Sequence, residues 1–91
     1  MTSKAYASVF DAIAGTPQKA ANLRLRAEIM RRIEQRIERK GWTQREAAEY
    51  CGITQPRMND LLRGRLSRFS LDALVNIAAS LSVRMELRAA A

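Results

Sequence analysis

The sequence predicts an all-α bundle built around a helix-turn-helix and finished by a short C-terminal β-strand that pairs between two copies of the chain. Three observations predict it. Residues 44–64, QREAAEYCGITQPRMNDLLRG, carry small, glycine and aliphatic residues at the spacing two steeply crossed helices need. Thr16, Thr43, Thr54 and Ser70 each head a helix-length segment as a side-chain cap. After Ser82 the hydrophobic period shortens to two.

The chain divides into an arm (1–15), a helix-turn-helix domain (16–82) and a strand with its tail (83–91). The arm, MTSKAYASVFDAIAG, is too short and too polar for a core of its own, yet holds Val9, Phe10 and Ile13 within five positions. As a helical turn these share one face. That face suits docking into a partner's groove, or packing back on the chain's own long helix. Thr16 and Pro17 read as N-cap and first residue of that helix, which runs to about Lys40 and is stopped by Gly41. Leu25, Ile29, Met30, Ile33 and Ile37 form its buried stripe. Arg24, Arg31, Glu34, Arg36 and Glu38 form a solvated face with weak pairs. Those acids interrupt the positive charge, which argues against adsorption to a membrane surface.

The first motif helix opens on a capping box, Thr43-Gln44-Arg45-Glu46, with Trp42 and Ala47 placed for a hydrophobic staple. Ala48 lets two backbones approach, and Gly52 accepts a positive φ. Ile53, Met58 and Leu61 fill the shared core. Thr54 caps the second helix, Pro56 sits in its first turn and Gly64 ends it. Gln55, Arg57, Asn59 and Asp60 are left on the outward face, which makes Gln55 to Arg63 a recognition helix and duplex DNA the expected ligand. Any helical hairpin with a glycine turn is the plainer reading, but it explains neither the paired caps nor the aliphatic spacing.

Beyond the motif, Arg65-Leu66-Ser67-Arg68-Phe69 is a basic loop anchored by Phe69. Ser70 caps a further helix, Leu71 to about Leu81, whose inner face is Leu71, Leu74, Ile77 and Ala78. Val83, Met85 and Leu87 then alternate with Arg84, Glu86 and Arg88, a strand pattern. A lone strand has nothing to pair with inside a helical domain, so a symmetry mate is the expected source, with continuation of the last helix as the alternative.

Charge agrees with the motif. Sixteen Lys and Arg stand against nine Asp and Glu, for a formal +7, and thirteen of the sixteen are arginine. Residues 51–70 hold Arg57, Arg63, Arg65 and Arg68 against Asp60 alone, whereas residues 71–91 balance. The excess surrounds the recognition helix, as a phosphate-binding surface requires. Cys51 falls on the inner face of the first motif helix and reads as a small core residue; as the single cysteine of a chain without histidine it leaves no internal disulfide possible and a zinc site improbable. No cofactor is expected, and no enzymatic activity, because no base, nucleophile pair or phosphate loop occurs. Without an apolar run near ~20 residues or a signal peptide, the cytoplasm is the expected compartment.

The stretch WTQREAAEYCGITQPRMNDLLRGRLSRFSLDALVNIAASL resembles the lambda-repressor-like, XRE-type helix-turn-helix proteins, and especially antitoxins of the HigA kind in type II toxin–antitoxin pairs. The similarity covers roughly residues 23–88, with Phe69-Ser70-Leu71 as the family's helix start and residues 8–14, SVFDAIA, like a motif some members carry. Cys51 replaces the more usual aliphatic before the glycine. The resemblance implies a homodimeric repressor of its own operon that neutralises a RelE- or HigB-like ribonuclease toxin.

The expected DNA-facing residues are Gln44, Arg45, Thr54, Gln55, Pro56, Arg57, Asn59, Asp60, Arg63, Arg65 and Arg68. Gln55 and Asn59 would read adenine edges, and Arg57 a guanine or a phosphate. Asp60 would orient Arg57 or Arg63, or accept from a cytosine. Arg63, Arg65 and Arg68 would hold the backbone. Val83, Met85 and Leu87 are expected to dimerise the chain, and Val9, Phe10 and Ile13 to meet the toxin. Two rival classes stand beside this: a regulator without a toxin, including restriction–modification controllers, and a helical interaction module that binds no DNA.

Overall fold

The computed structural model describes residues 15–86. Within these residues four α-helices run in order: α1, Pro17–Lys40; α2, Gln44–Cys51; α3, Gln55–Leu62; and α4, Leu71–Ser80, with a 3-10 turn at Leu66–Arg68 ahead of α4. Every expected N-cap is made. Thr16, Thr43, Thr54 and Ser70 accept from the amides of Lys19, Glu46, Arg57 and Ala73, three residues on in each case. Glu46 completes the capping box by accepting the Thr43 amide at 3.0 Å, and that bond holds its carboxyl below the usual carboxylate range.

The turn between α2 and α3 shows why a glycine stands there. Gly52 has φ 69°, and its amide and that of Ile53 return to the carbonyls of Glu49 and Ala48. This double closure satisfies the last carbonyls of α2 and reverses the chain within two residues. A Cβ at Gly52 would meet no atom within 4 Å, so conformation, and not space, selects glycine.

One core joins all four helices: Ile29, Met30, Ile33 and Ile37 of α1, Ala47 and Ala48 of α2, Met58 and Leu61 of α3, and Leu74, Ile77 and Ala78 of α4, with Phe69 and Leu81. Phe69, 1% exposed, is the largest fully buried side chain, which is the anchoring role its place in the loop predicts. Two arginines of α1 fix the direction of α4. Arg26 Nη1 donates at 3.0 Å to the carbonyls of Leu66 and Phe69, just ahead of α4, and Arg36 Nη1 donates at 3.2 Å to the carbonyl of Leu81, just past it. The two helices therefore run side by side in the same sense.

Three expectations need correction. Leu25 is 40% exposed, so the buried stripe of α1 starts at Ile29, with Ala20 as a separate buried position. Leu25 instead lines an open apolar groove with Ile29, Val75, Met85 and Glu86. Cys51 is only half-buried against the core, and that burial pushes its thiol pKa up. Among the described residues there is no strand: residues 83–86 are irregular. The reason lies in the end of α4. Ser82 takes φ 55°, its amide returns to Ala79 and that of Val83 to Ala78. Val83 packs on the core as the closing residue of a helix stop, and its amide is not offered to a ladder. Leu87 and Arg88 lie outside the described residues, as do Val9, Phe10 and Ile13.

Candidate nucleic-acid interface

The second motif helix, α3, turns Met58 and Leu61 inward, both fully buried. Gln55, Pro56 and Arg63 are exposed along its outer side, with Asn59 half-buried between them. The head of α2 is tied to the head of α3 by Gln44 Nε2, which donates to the backbone carbonyl of Gln55 at 3.1 Å. Gln44 is thereby half-buried and works between the helices, while Arg45 beside it is exposed and loosely paired with Glu49 at 3.4 Å. The Gln55 side chain itself makes no hydrogen bond among the described residues. Asn59 Oδ1 accepts from Arg63 Nε at 3.3 Å, which leaves its amide NH2 group as an outward donor. Thr54 is occupied as the cap of α3.

Arg57 and Asp60 are arranged differently from the sequence reading. The Arg57 guanidinium lies 4.4 Å from the centroid of the Phe69 ring and donates to the Arg68 carbonyl at 3.4 Å. It packs over the core's edge, half-buried, instead of extending to a ligand. Asp60 orients neither Arg57 nor Arg63. Its two oxygens receive Arg65 Nη1 at 2.8 Å and Arg68 Nη1 at 3.6 Å, and its side chain is 17% exposed. A carboxylate inside a basic surface thus serves to hold two arginines of the following loop at fixed positions.

Loop 65–69 is consequently held from three sides: by Arg26 from α1, by Arg57 from above Phe69 and by Asp60 from α3. Sequence reasoning named Arg57 and Asp60 for other roles and missed Arg26, which lies forty and forty-three residues from the carbonyls it binds. An arginine on a helix carries no local sign of such a partner. The outcome is one surface that presents Gln55, Pro56 and Asn59 from α3 and Arg63 from its C-cap, with Arg65 and Arg68 on its flank. Its donors are guanidinium and amide groups, which suit phosphate oxygens and base edges.

The negative charges nearby are few. Glu46 is held below the usual carboxylate range by its cap, Glu49 pairs with Arg45 at 3.4 Å, and both acids lie with Trp42 and Tyr50, whose rings are 4.6 Å apart. No helix among the described residues is long and apolar enough to cross a membrane.

Comparison with curated proteins gives no match. The model of a family described as a helix-turn-helix domain matches residues 13–90, which takes in all four helices and the whole of the surface above. The chain belongs to the helix-turn-helix domain family.

Proposed function

We propose that the chain is a sequence-specific duplex-DNA-binding repressor that works as a homodimer, and that it is the antitoxin of a type II pair of the HigA kind. The observation that carries the DNA reading is the outer edge of α3: the Gln55 side chain has no partner among the described residues, and Asn59 keeps its amide donors, one turn apart on one side of a capped helix. Two amides at that spacing match the acceptor–donor edges of adenines in the major groove. Arg63, Arg65 and Arg68 flank them as backbone contacts, with Asp60 setting the geometry of two of the three.

The packing of Arg57 on Phe69 alters the allocation of roles. Base reading rests with Gln55 and Asn59, with Pro56 available for a thymine methyl, while Arg57 positions the loop. Replacing Gln55 or Asn59 by Ala is expected to cost ~1–3 kcal/mol of binding and to relax the base preference at one position. Selection of duplexes from a random pool with each variant measures this. Unchanged preference in both would refute the assignment.

A single motif reads few base pairs, so two copies about one helical turn apart, ~34 Å, are part of the proposal. The residues offered for the contact are Val83, Met85 and Leu87, which a partner chain would cover as an apolar edge. Sedimentation of a chain truncated after Ser82 tests them: monomers with weak operator binding are expected. The toxin is proposed from the family resemblance and assigned to Val9, Phe10 and Ile13. Co-purification with the product of the neighbouring reading frame, with and without residues 1–15, tests that part separately.

A further inference from the structure

Away from the α3 surface, the C-terminal half of α1 and the segment after α4 border a solvent-open cavity of ≈ 200 Å³, lined by Arg32, Gln35, Arg36, Arg39, Val83 and Arg84. Among the described residues, four guanidinium groups and one amide line it, and no carboxylate does. Sequence spacing alone explains three of the four. Arg32, Arg36 and Arg39 stand at offsets of four and three, one side of a helix. Arg84 is brought to them by the left-handed turn at Ser82, which sends the chain back toward α1.

The charges there are poorly compensated. Arg36 spends one nitrogen on the Leu81 carbonyl, a neutral acceptor that fixes the side chain without cancelling its charge. Arg39 makes no hydrogen bond or ion pair among the described residues. Arg32 shares the single carboxylate of Glu28 with Arg31, at 2.9 and 2.7 Å. Arg84 lies 3.9 Å from Glu86, in an exposed pair worth little in water. Four cations held around one concavity repel each other unless an anion enters. The repulsion is greatest where one side chain, here Arg36, cannot swing away.

We infer that this cavity is a binding site for a small polyanion bearing two or three linked phosphoryl groups, separate from the DNA-facing surface. Planar guanidinium forks match tetrahedral oxyanions two oxygens at a time. At the ~30 Å³ that a water occupies in the liquid, the volume is that of roughly seven waters. That is room for a di- or triphosphate, with any larger group attached to it left projecting into solvent. Arg26, which holds the loop beside α3, and Arg36, at the cavity, are ten residues apart on α1, ~15 Å along its axis. A phosphate chain of that size therefore cannot bridge the two.

Titration calorimetry of the full chain with sodium tripolyphosphate, at fixed ionic strength, tests the site. Saturable one-to-one binding is expected, weakened at least tenfold in the double variant Arg39→Ala/Arg84→Ala, whose side chains are exposed and give up only the loose Arg84–Glu86 pair. Arg45→Ala/Arg63→Ala, which removes the same two charges from the α2–α3 surface, is expected to leave that affinity within twofold. Circular dichroism confirms that the variants are folded. No detectable tripolyphosphate binding overturns the proposal, as does equal loss in Arg45→Ala/Arg63→Ala, which would mean attraction by overall charge alone. A double variant that loses affinity for random duplex DNA while tripolyphosphate fails to bind also overturns it, and assigns the patch to a nucleic-acid backbone.

Discussion

The contact between Arg57 and Phe69 separates two roles that the sequence leaves merged. If Arg57 faced a ligand, replacing it would weaken DNA binding and leave the free protein's stability alone. In the structure its guanidinium stacks 4.4 Å from the Phe69 centroid and reaches the Arg68 carbonyl at 3.4 Å. A cation over an aromatic face gives ~0.5–1 kcal/mol when exposed and about 2 when desolvated. Arg57 is half-buried, so about 1 kcal/mol is appropriate. The hydrogen bond, longer than the usual 2.7–3.2 Å range, adds only a few tenths of that. For a domain of this size 1 kcal/mol moves the melting temperature by roughly 4–8 °C. Arg57→Ala is therefore expected to lower Tm by about 4–10 °C in the absence of DNA. Thermal denaturation followed by circular dichroism at 222 nm measures it. The partner is identified by a cycle with Phe69→Leu, in which the two changes together should cost less than their sum by about 1 kcal/mol. A Tm within a degree of the parent's, or strictly additive effects, would refute the stacking role and return Arg57 to the ligand-facing set.

Three further outcomes follow from the geometry. Arg63→Ala is expected to lower the slope of log affinity against log salt by about one unit, on specific and random duplexes alike, in fluorescence anisotropy titrations. Glu34 has its pKa raised, by burial first and by neighbouring Glu38 second; its neutral form is the one the fold favours, so stability from this group is present below the unfolded carboxylate range and is lost as pH rises through the raised value. Glu34→Gln should accordingly raise Tm near pH 7 and make no difference below about pH 4, near the unperturbed carboxylate value, which a pair of Tm–pH curves shows. Ser82→Gly should stabilise the chain by about 0.5–1 kcal/mol, because a non-glycine residue holds φ 55° there, measured by urea denaturation.

What the sequence made legible was what neighbouring residues decide. Thr16, Thr43, Thr54 and Ser70 each cap a helix within three positions of themselves, and Gly41, Gly52 and Gly64 each take the left-handed conformation at a helix end. Inward positions of α3 and α4 could be read from spacing because a helix repeats regularly. The contacts that shape the candidate site are of another kind. Arg26 to Phe69 and Arg36 to Leu81 span more than forty residues, and nothing local distinguishes these arginines from Arg24 or Arg31. Alternation in residues 83–88 suggested a strand because a period of two describes any chain whose side chains point alternately. In the described part, Val83 goes inward to end α4, while Arg84 goes to the basic cavity. Leu25 illustrates the same limit: helical spacing gives the face, but only the arrival of α4 and the segment after it decides how far along that face the core extends.

The three-sided clamp on loop 65–69 bears on how such a protein could change its target. Arg26, Arg57 and Asp60 hold the loop, and Thr54, Met58 and Leu61 hold α3. None of them belongs to the outward row of Gln55, Pro56, Asn59 and Arg63. Along the eight-residue helix and its two caps, the side chains that hold the scaffold and those that face outward are thus different sets. A new target preference could then be installed at the outward positions by a few substitutions, each nearly silent in stability, without re-solving the fold each time.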